Sequence, residues 1–96
     1  MIRIVRLSFK EEYIQDFERL FEERKQQIRA MDGCTQLALW ADKQDAGVFY
    51  TYSIWQHADH LEAYRVSTLF QETWGQVKQW FNEKPLAFSA DQLLEL

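Results

Sequence analysis

Ninety-six residues, 47% hydrophobic and 16% aromatic, are enough for one domain spanning 1–96, with more rings than a minimal core needs. Eleven Lys and Arg against fifteen Asp and Glu give a net charge of -4, and the basic residues are scattered along the chain, which argues against a nucleic-acid partner. The single Cys34 has no intrachain disulfide partner and no apolar run reaches membrane-spanning length, so the expectation is a soluble cytoplasmic domain with no membrane partner.

Ile2 to Phe9 is apolar, partly alternating and rich in β-branched residues, which predicts a first strand. Ser8 followed by Glu11 has the spacing of a capping box. Tyr13, Ile14, Phe17, Leu20, Phe21, Ile28 and Met31 then recur at helical spacing with charged residues between them, and Asp32-Gly33 closes this long amphipathic helix. Cys34 to Ala41 and Val48 to Trp55 read as two strands joined by the polar run Asp42 to Gly47, an antiparallel hairpin. In the second of these, Tyr50, Tyr52 and Ile54 face one way and Phe49, Thr51, Ser53 and Trp55 the other, so both faces are apolar and both need cover.

A short helix starting near Ala58 and a second one capped by Ser67, with Phe70, Trp74, Val77 and Phe81 on one stripe, follow the hairpin. Pro85 ends the helical run and Leu86 to Ala90 is extended. The order strand, helix, strand, strand, helix, strand predicts an α+β, ferredoxin-like βαββαβ domain with a four-stranded antiparallel sheet covered by helices on one face. The bare face suits a second copy, so a homodimer is expected.

Gly33-Cys34 at the second strand, Tyr52-Ser53-Ile54-Trp55, then Leu61, Tyr64, Ser67 and Phe70 at their present spacings resemble the antibiotic biosynthesis monooxygenase (ABM) family. The resemblance covers nearly the whole chain and implies a dimeric α/β barrel with a cavity between helices and sheet in each protomer. It also implies a function among cofactor-independent oxygenases of quinol-like aromatics, haem-degrading enzymes, or proteins of no settled activity. Many members carry a His where this chain has Tyr64 and another where it has Leu69. The haem-degrading pattern of a first-strand Asn and a helix His is absent, with no Asn near Val5 and Trp74 at the iron-ligand place.

The resemblance places Trp55 at a cavity wall, where its ring would stack on a flat substrate and its N–H would donate one hydrogen bond. Thr51, Ser53 and Gln36 are expected to share that face as polar handles, with Phe70 and Trp74 as apolar lining. Tyr64 is the candidate for proton transfer, its acidity adjusted by burial or by Arg65, and Arg65 is the candidate anion stabiliser. His57 and His60, three apart, are near enough on a helix to share a metal, but no third His exists and a surface turn at the helix start accounts for them, so no metal is assigned. Cys34 reads as a small, partly buried hydrophobe. The leading expectation is a cofactor-independent monooxygenase taking a small aromatic substrate of the quinol or phenol kind. The alternative is a barrel that binds a small molecule or pairs with its copy and does no chemistry.

Overall fold

The architecture follows from four strands in a computed structural model that describes residues 1–96. β1 (Ile2–Ser8), β2 (Cys34–Ala41), β3 (Val48–Trp55) and β4 (Leu86–Ala90) form one sheet in the order β2-β3-β1-β4, antiparallel throughout. α1 (Ile14–Arg29) crosses from β1 to β2, and α2 (Ala58–Arg65) with α3 (Thr68–Val77) crosses from β3 to β4. This is the expected α+β, ferredoxin-like βαββαβ fold. No helix is long and apolar enough to cross a membrane.

The start of the first helix departs from the sequence reading. Ser8 remains in the sheet, paired with Val48, and its carbonyl accepts from the Asn82 N–H at 2.8 Å, so no capping box with Glu11 forms. A 3-10 turn over Glu11–Tyr13 intervenes, and the α-helix proper begins at Ile14. It stops at Arg29, short of Met31, and Gly33 takes up the chain reversal at φ 81°.

α1 turns Phe17, Leu20 and Ile28 inward. Phe17 stacks on Phe9 at 4.3 Å between ring centroids and meets Phe49 at 5.1 Å, forming a core with Leu7, Leu20 and Val77. A smaller cluster of Cys34, Trp55 and Leu61 sits at the other end of the helix-covered face. The opposite sheet face carries Ile4, Trp40, Tyr52, Leu86 and Phe88 with no layer over it, and Trp40, Leu86 and Phe88 are 44%, 49% and 57% exposed. Trp40 and Tyr52 stack there at 4.9 Å.

The two helices after the hairpin are joined through one hydroxyl. Ser67 caps α3 as expected, its Oγ accepting from the Phe70 N–H at 3.2 Å, and the same hydroxyl donates to the Tyr64 carbonyl at 2.6 Å. Ser67→Ala is therefore expected to destabilise the protein by about 1 kcal/mol, the ordinary worth of an N-cap, read as a shift in urea midpoint at unchanged slope.

Candidate functional site

Antiparallel pairing lines residues up in rows across the sheet, with neighbours on one face about 5 Å apart. One row on the helix side runs Leu37, Ser53, Arg3, Ser89, and the next runs Leu39, Thr51, Val5, Ala87. Arg3 is the one charged side chain that this face sets in the middle of the sheet, directly opposite Ser53. Above these rows lies a cavity of about 350 Å³, roofed by Phe17, Phe21 and Ile28 of α1, Leu61, Tyr64 and Arg65 of α2, and Phe70, Thr73, Trp74 and Val77 of α3.

Of the residues expected at the site, Ser53, Thr51, Trp55, Tyr64, Arg65, Phe70 and Trp74 all line this cavity. Gln36 does not. A bulge between Cys34 and Gln36 leaves Cys34 opposite Trp55 but puts Gln36 opposite Ile54, on the outer face, where it is exposed. Uninterrupted pairing would have set Gln36 against Ser53. The extra residue hands that place to Leu37, so the wall there is apolar.

Trp55 is 1% exposed, and its Nε1–H donates to Ser53 Oγ at 2.9 Å. The indole proton is therefore already used, and the hydrogen that remains free for a ligand is that of the Ser53 hydroxyl. Tyr64 stacks on the indole at 5.3 Å and 23°, meets Phe70 edge-on at 5.2 Å, and Phe70 in turn stacks on Trp74 at 5.8 Å. These four rings make a continuous aromatic wall, and Tyr64 covers the stacking partner that Trp55 was expected to offer a substrate.

Two polar lining residues, Arg3 and Thr73, are not among the residues expected at the site. Arg3 alternates with Val5 and Leu7 along β1, and that period of two is the signal that it faces the cavity. Thr73 lies three residues after Phe70 and four before Val77, on the same helical stripe. Its Oγ1 is buried with no hydrogen-bond partner, a polar atom facing an otherwise apolar space.

The electrostatics of the cavity are one-sided. No Asp, Glu, His, Lys or Cys lines it, and its only titratable groups are Arg3, Tyr64 and Arg65. Arg3 Nη1 donates to Ser89 Oγ at 3.0 Å, and the guanidinium is held below the ordinary arginine range by burial, then by repulsion from Arg65, with Glu62 opposing both. Arg65 stands at the rim, 48% exposed, with Nη1 3.2 Å from Glu62 Oε2. Burial pushes the Tyr64 hydroxyl up to about 12, helped by Cys34 behind it. Of the two expected causes, burial is the one that acts, and Arg65 has no part in that shift. At neutral pH Tyr64 is a hydrogen-bond donor and not a base.

That shift makes a stability prediction with a definite sign. The hydroxyl titrates near 10 in an unfolded chain and at about 12 in the fold. Its contribution is fully present below pH ~10 and lost as pH rises through the folded value, a loss of about 3 kcal/mol. Tyr64→Phe, measured against the parent by urea denaturation at rising alkaline pH, is expected to lack this component of the decline.

His57 is the N-cap of α2, its Nδ1 accepting from the Asp59 N–H at 3.1 Å, and it is exposed. His60 packs over Gly33 with its Nδ1 buried and unpartnered. No group of three or more His, Cys, Asp or Glu is arranged to hold a metal ion. Cys34 is buried, and burial raises its thiol pKa, so it reads as a hydrophobe.

The sequence profile of the antibiotic biosynthesis monooxygenase family matches residues 1–75, which covers every strand and helix of this cavity except β4 and the last two residues of α3. The chain belongs to the antibiotic biosynthesis monooxygenase family. No curated protein matches it. Among solved structures, a Nitrosomonas europaea protein bearing the ABM name superposes with a TM-score of 0.90 at 16% identity, over 96% of this chain and 88% of that one. Rv0793 from Mycobacterium tuberculosis gives 0.89 at 19%, over 98% and 95%, and a conserved protein from Methanosarcina mazei Go1 gives 0.84 at 17%, over 91% and 87%. At these identities the likeness is one of ABM fold, and the chemistry has to come from the cavity.

Proposed function

We propose that the chain is a small-molecule enzyme, a cofactor-independent monooxygenase that oxidises a quinol-like or phenolic aromatic. The observation that carries this reading is the cavity itself, about 350 Å³, apolar and aromatic on most sides with a few polar groups, Arg3, Thr51 and Ser53 from the sheet and Tyr64, Arg65 and Thr73 from the helices. That size and lining suit a small flat molecule held by shape and a handful of hydrogen bonds. Membership of the ABM family supports the reaction class.

In the proposed reaction an electron-rich phenol supplies all four electrons that reduce one O₂. A ring carbon exchanges its hydrogen for one oxygen atom, the phenol loses its O–H hydrogen, and the second oxygen leaves as water, so phenol and O₂ become quinone and water. The protein's share is to hold the ring, orient it and stabilise negative charge. The wall of Tyr64, Phe70 and Trp74 holds the ring, Trp55 backs that wall and positions Ser53, and Ser53, Thr51 and Arg65 present donors. Tyr64 donates a hydrogen bond as a neutral phenol.

Oxygen uptake with a panel of quinols and phenols, followed at an oxygen electrode, tests the proposal. Uptake above the buffer rate that falls on narrowing the cavity with Thr51→Phe is the expected result, and uptake never above the buffer rate for any member removes the oxygenase reading. A second reading, a binding module without chemistry, is favoured by the absence of any carboxylate or imidazole from the cavity wall. Retention of phenols with no uptake would select it.

We also propose a homodimer formed through the uncovered sheet face, supported by the exposed Trp40, Leu86 and Phe88 there. Native mass spectrometry reads the subunit count directly. A cytoplasmic setting belongs to the same reading, supported by a lone thiol with no intrachain disulfide partner.

A further inference from the structure

A phenol reacts with O₂ far more readily as its anion, which raises the question of what ionises it here. The groups facing the cavity from every element answer it. β1 contributes Arg3, α2 contributes Tyr64 and Arg65, and the lining residues of α1, β2, β3, α3 and the approach to β4 contribute no charged group at all. Behind the lining stand Glu62, which pairs with Arg65, and Cys34, a buried thiol. No group in contact with a ligand would accept a proton at neutral pH, since burial drives both Tyr64 and Cys34 towards their protonated forms.

The charge balance is positive where the polar row lies. Arg65 has Glu62 in contact as counter-ion, whereas the Arg3 guanidinium bonds the Ser89 hydroxyl and feels Glu62 only without contact. A half-buried guanidinium without a carboxylate partner is costly, and an anion placed beside it removes that cost. The surplus is local, because the chain as a whole carries -4. Directly across from Arg3 is Ser53, whose Oγ already accepts from Trp55 and therefore has its hydrogen to give.

We infer that this cavity binds its phenolic ligand as the phenolate, with the oxyanion seated between Arg3 and Ser53, and that the protein ionises the ligand by stabilising the anion and not by a base. The O–H bond breaks, its proton passes to water or buffer, and the electron pair stays on the oxygen that Arg3 and Ser53 hold. Arg3 is thereby a ligand-binding residue, and Arg65 at the rim adds a second, weaker attraction. The inference rests on the reading that phenols occupy this cavity, and its test is a binding measurement that needs no turnover.

4-Nitrophenol is the probe, since its phenolate absorbs in the visible and its ionisation is read directly in a pH titration with the whole protein in excess. Bound to the parent, its apparent pKa is expected to fall by about one unit, a tenfold preference for the anion, in line with one charge-assisted hydrogen bond. Arg3→Gln is expected to abolish the fall. Ser53→Ala, which removes only a hydroxyl, is expected to reduce it about threefold and serves if Arg3→Gln does not fold. A titration unshifted by the parent protein overturns the inference, as does a shift that survives both substitutions. Nitrophenol that does not bind at any pH overturns this inference and the phenol reading together. A shift that depends on Arg3, with no oxygen uptake from any quinol, upholds the oxyanion site and overturns the oxygenase alone.

Discussion

Trp55→Ala is expected to destabilise the protein by about 3–5 kcal/mol, the range for truncating a buried aromatic. Set against a total stability of roughly 5–15 kcal/mol for a domain of this kind, that is the difference between a folded chain and a marginal one. Trp55 is 1% exposed, packs with Cys34 and Leu61, carries Tyr64 on its ring and holds Ser53 through Nε1. Its backbone ties the N-terminus down as well, with the Trp55 N–H on the Met1 carbonyl at 2.8 Å and the Met1 ammonium on the Trp55 carbonyl at 2.9 Å. Those backbone bonds survive the substitution, so the fold should loosen around a hole and not unravel at β1. Added indole should then restore more stability to the variant than it adds to the parent, because the variant has the vacancy in addition to the cavity. A loss under ~1 kcal/mol by urea denaturation would mean that the site collapses around the missing ring, and that Tyr64 and Ser53 are not held in place by it.

The sheet was more legible than the cavity, and particular residues show why. Cys34–Ala41, Val48–Trp55 and Leu86–Ala90 can be read directly from the chain because β-branched and aromatic runs end at Gly, Asp or Pro, and local chemistry decides such ends. Ser8 was misread for the opposite reason. Its spacing to Glu11 satisfies a capping rule, but pairing with Val48 and a bond from Asn82, both far away in sequence, keep it extended. Gln36 turns on a single bulge. The Cys34 N–H closes a tight turn onto the Met31 carbonyl at 3.0 Å, the strand enters the sheet one residue out of step, and everything from Gln36 onward changes face relative to Cys34. Arg3 was within reach of period-two reasoning, though a lone cation in an apolar strand invites the reading of a solvated edge. Burial is foreseen as a cause of the Tyr64 shift, but the size of the rise in its pKa is not legible in the chain, since it comes from elements distant in sequence.

The second large effect separates two glycines that look alike in sequence. Gly33→Ala is expected to cost about 2–4 kcal/mol, combining the left-handed penalty for an L side chain with a steric overlap. Gly33 has φ 81°, and a Cβ on it would run into the Cβ and ring of His60, atoms near the root of that side chain that cannot swing aside. His60 is itself held by α2, whose Leu61 packs on Trp55, so relieving the overlap would push the helix that carries Tyr64 and Arg65. Gly75→Ala should do the reverse. It lies inside α3 with nothing within 4 Å of where a Cβ would go, and replacing a helical glycine there is expected to stabilise by about 0.5–1 kcal/mol. Urea denaturation of the two single variants side by side reads both signs in one experiment. If Gly33→Ala were neutral, the contact between Gly33 and His60 would not constrain α2, and the cavity wall on that side would be free to move independently of the turn that ends α1.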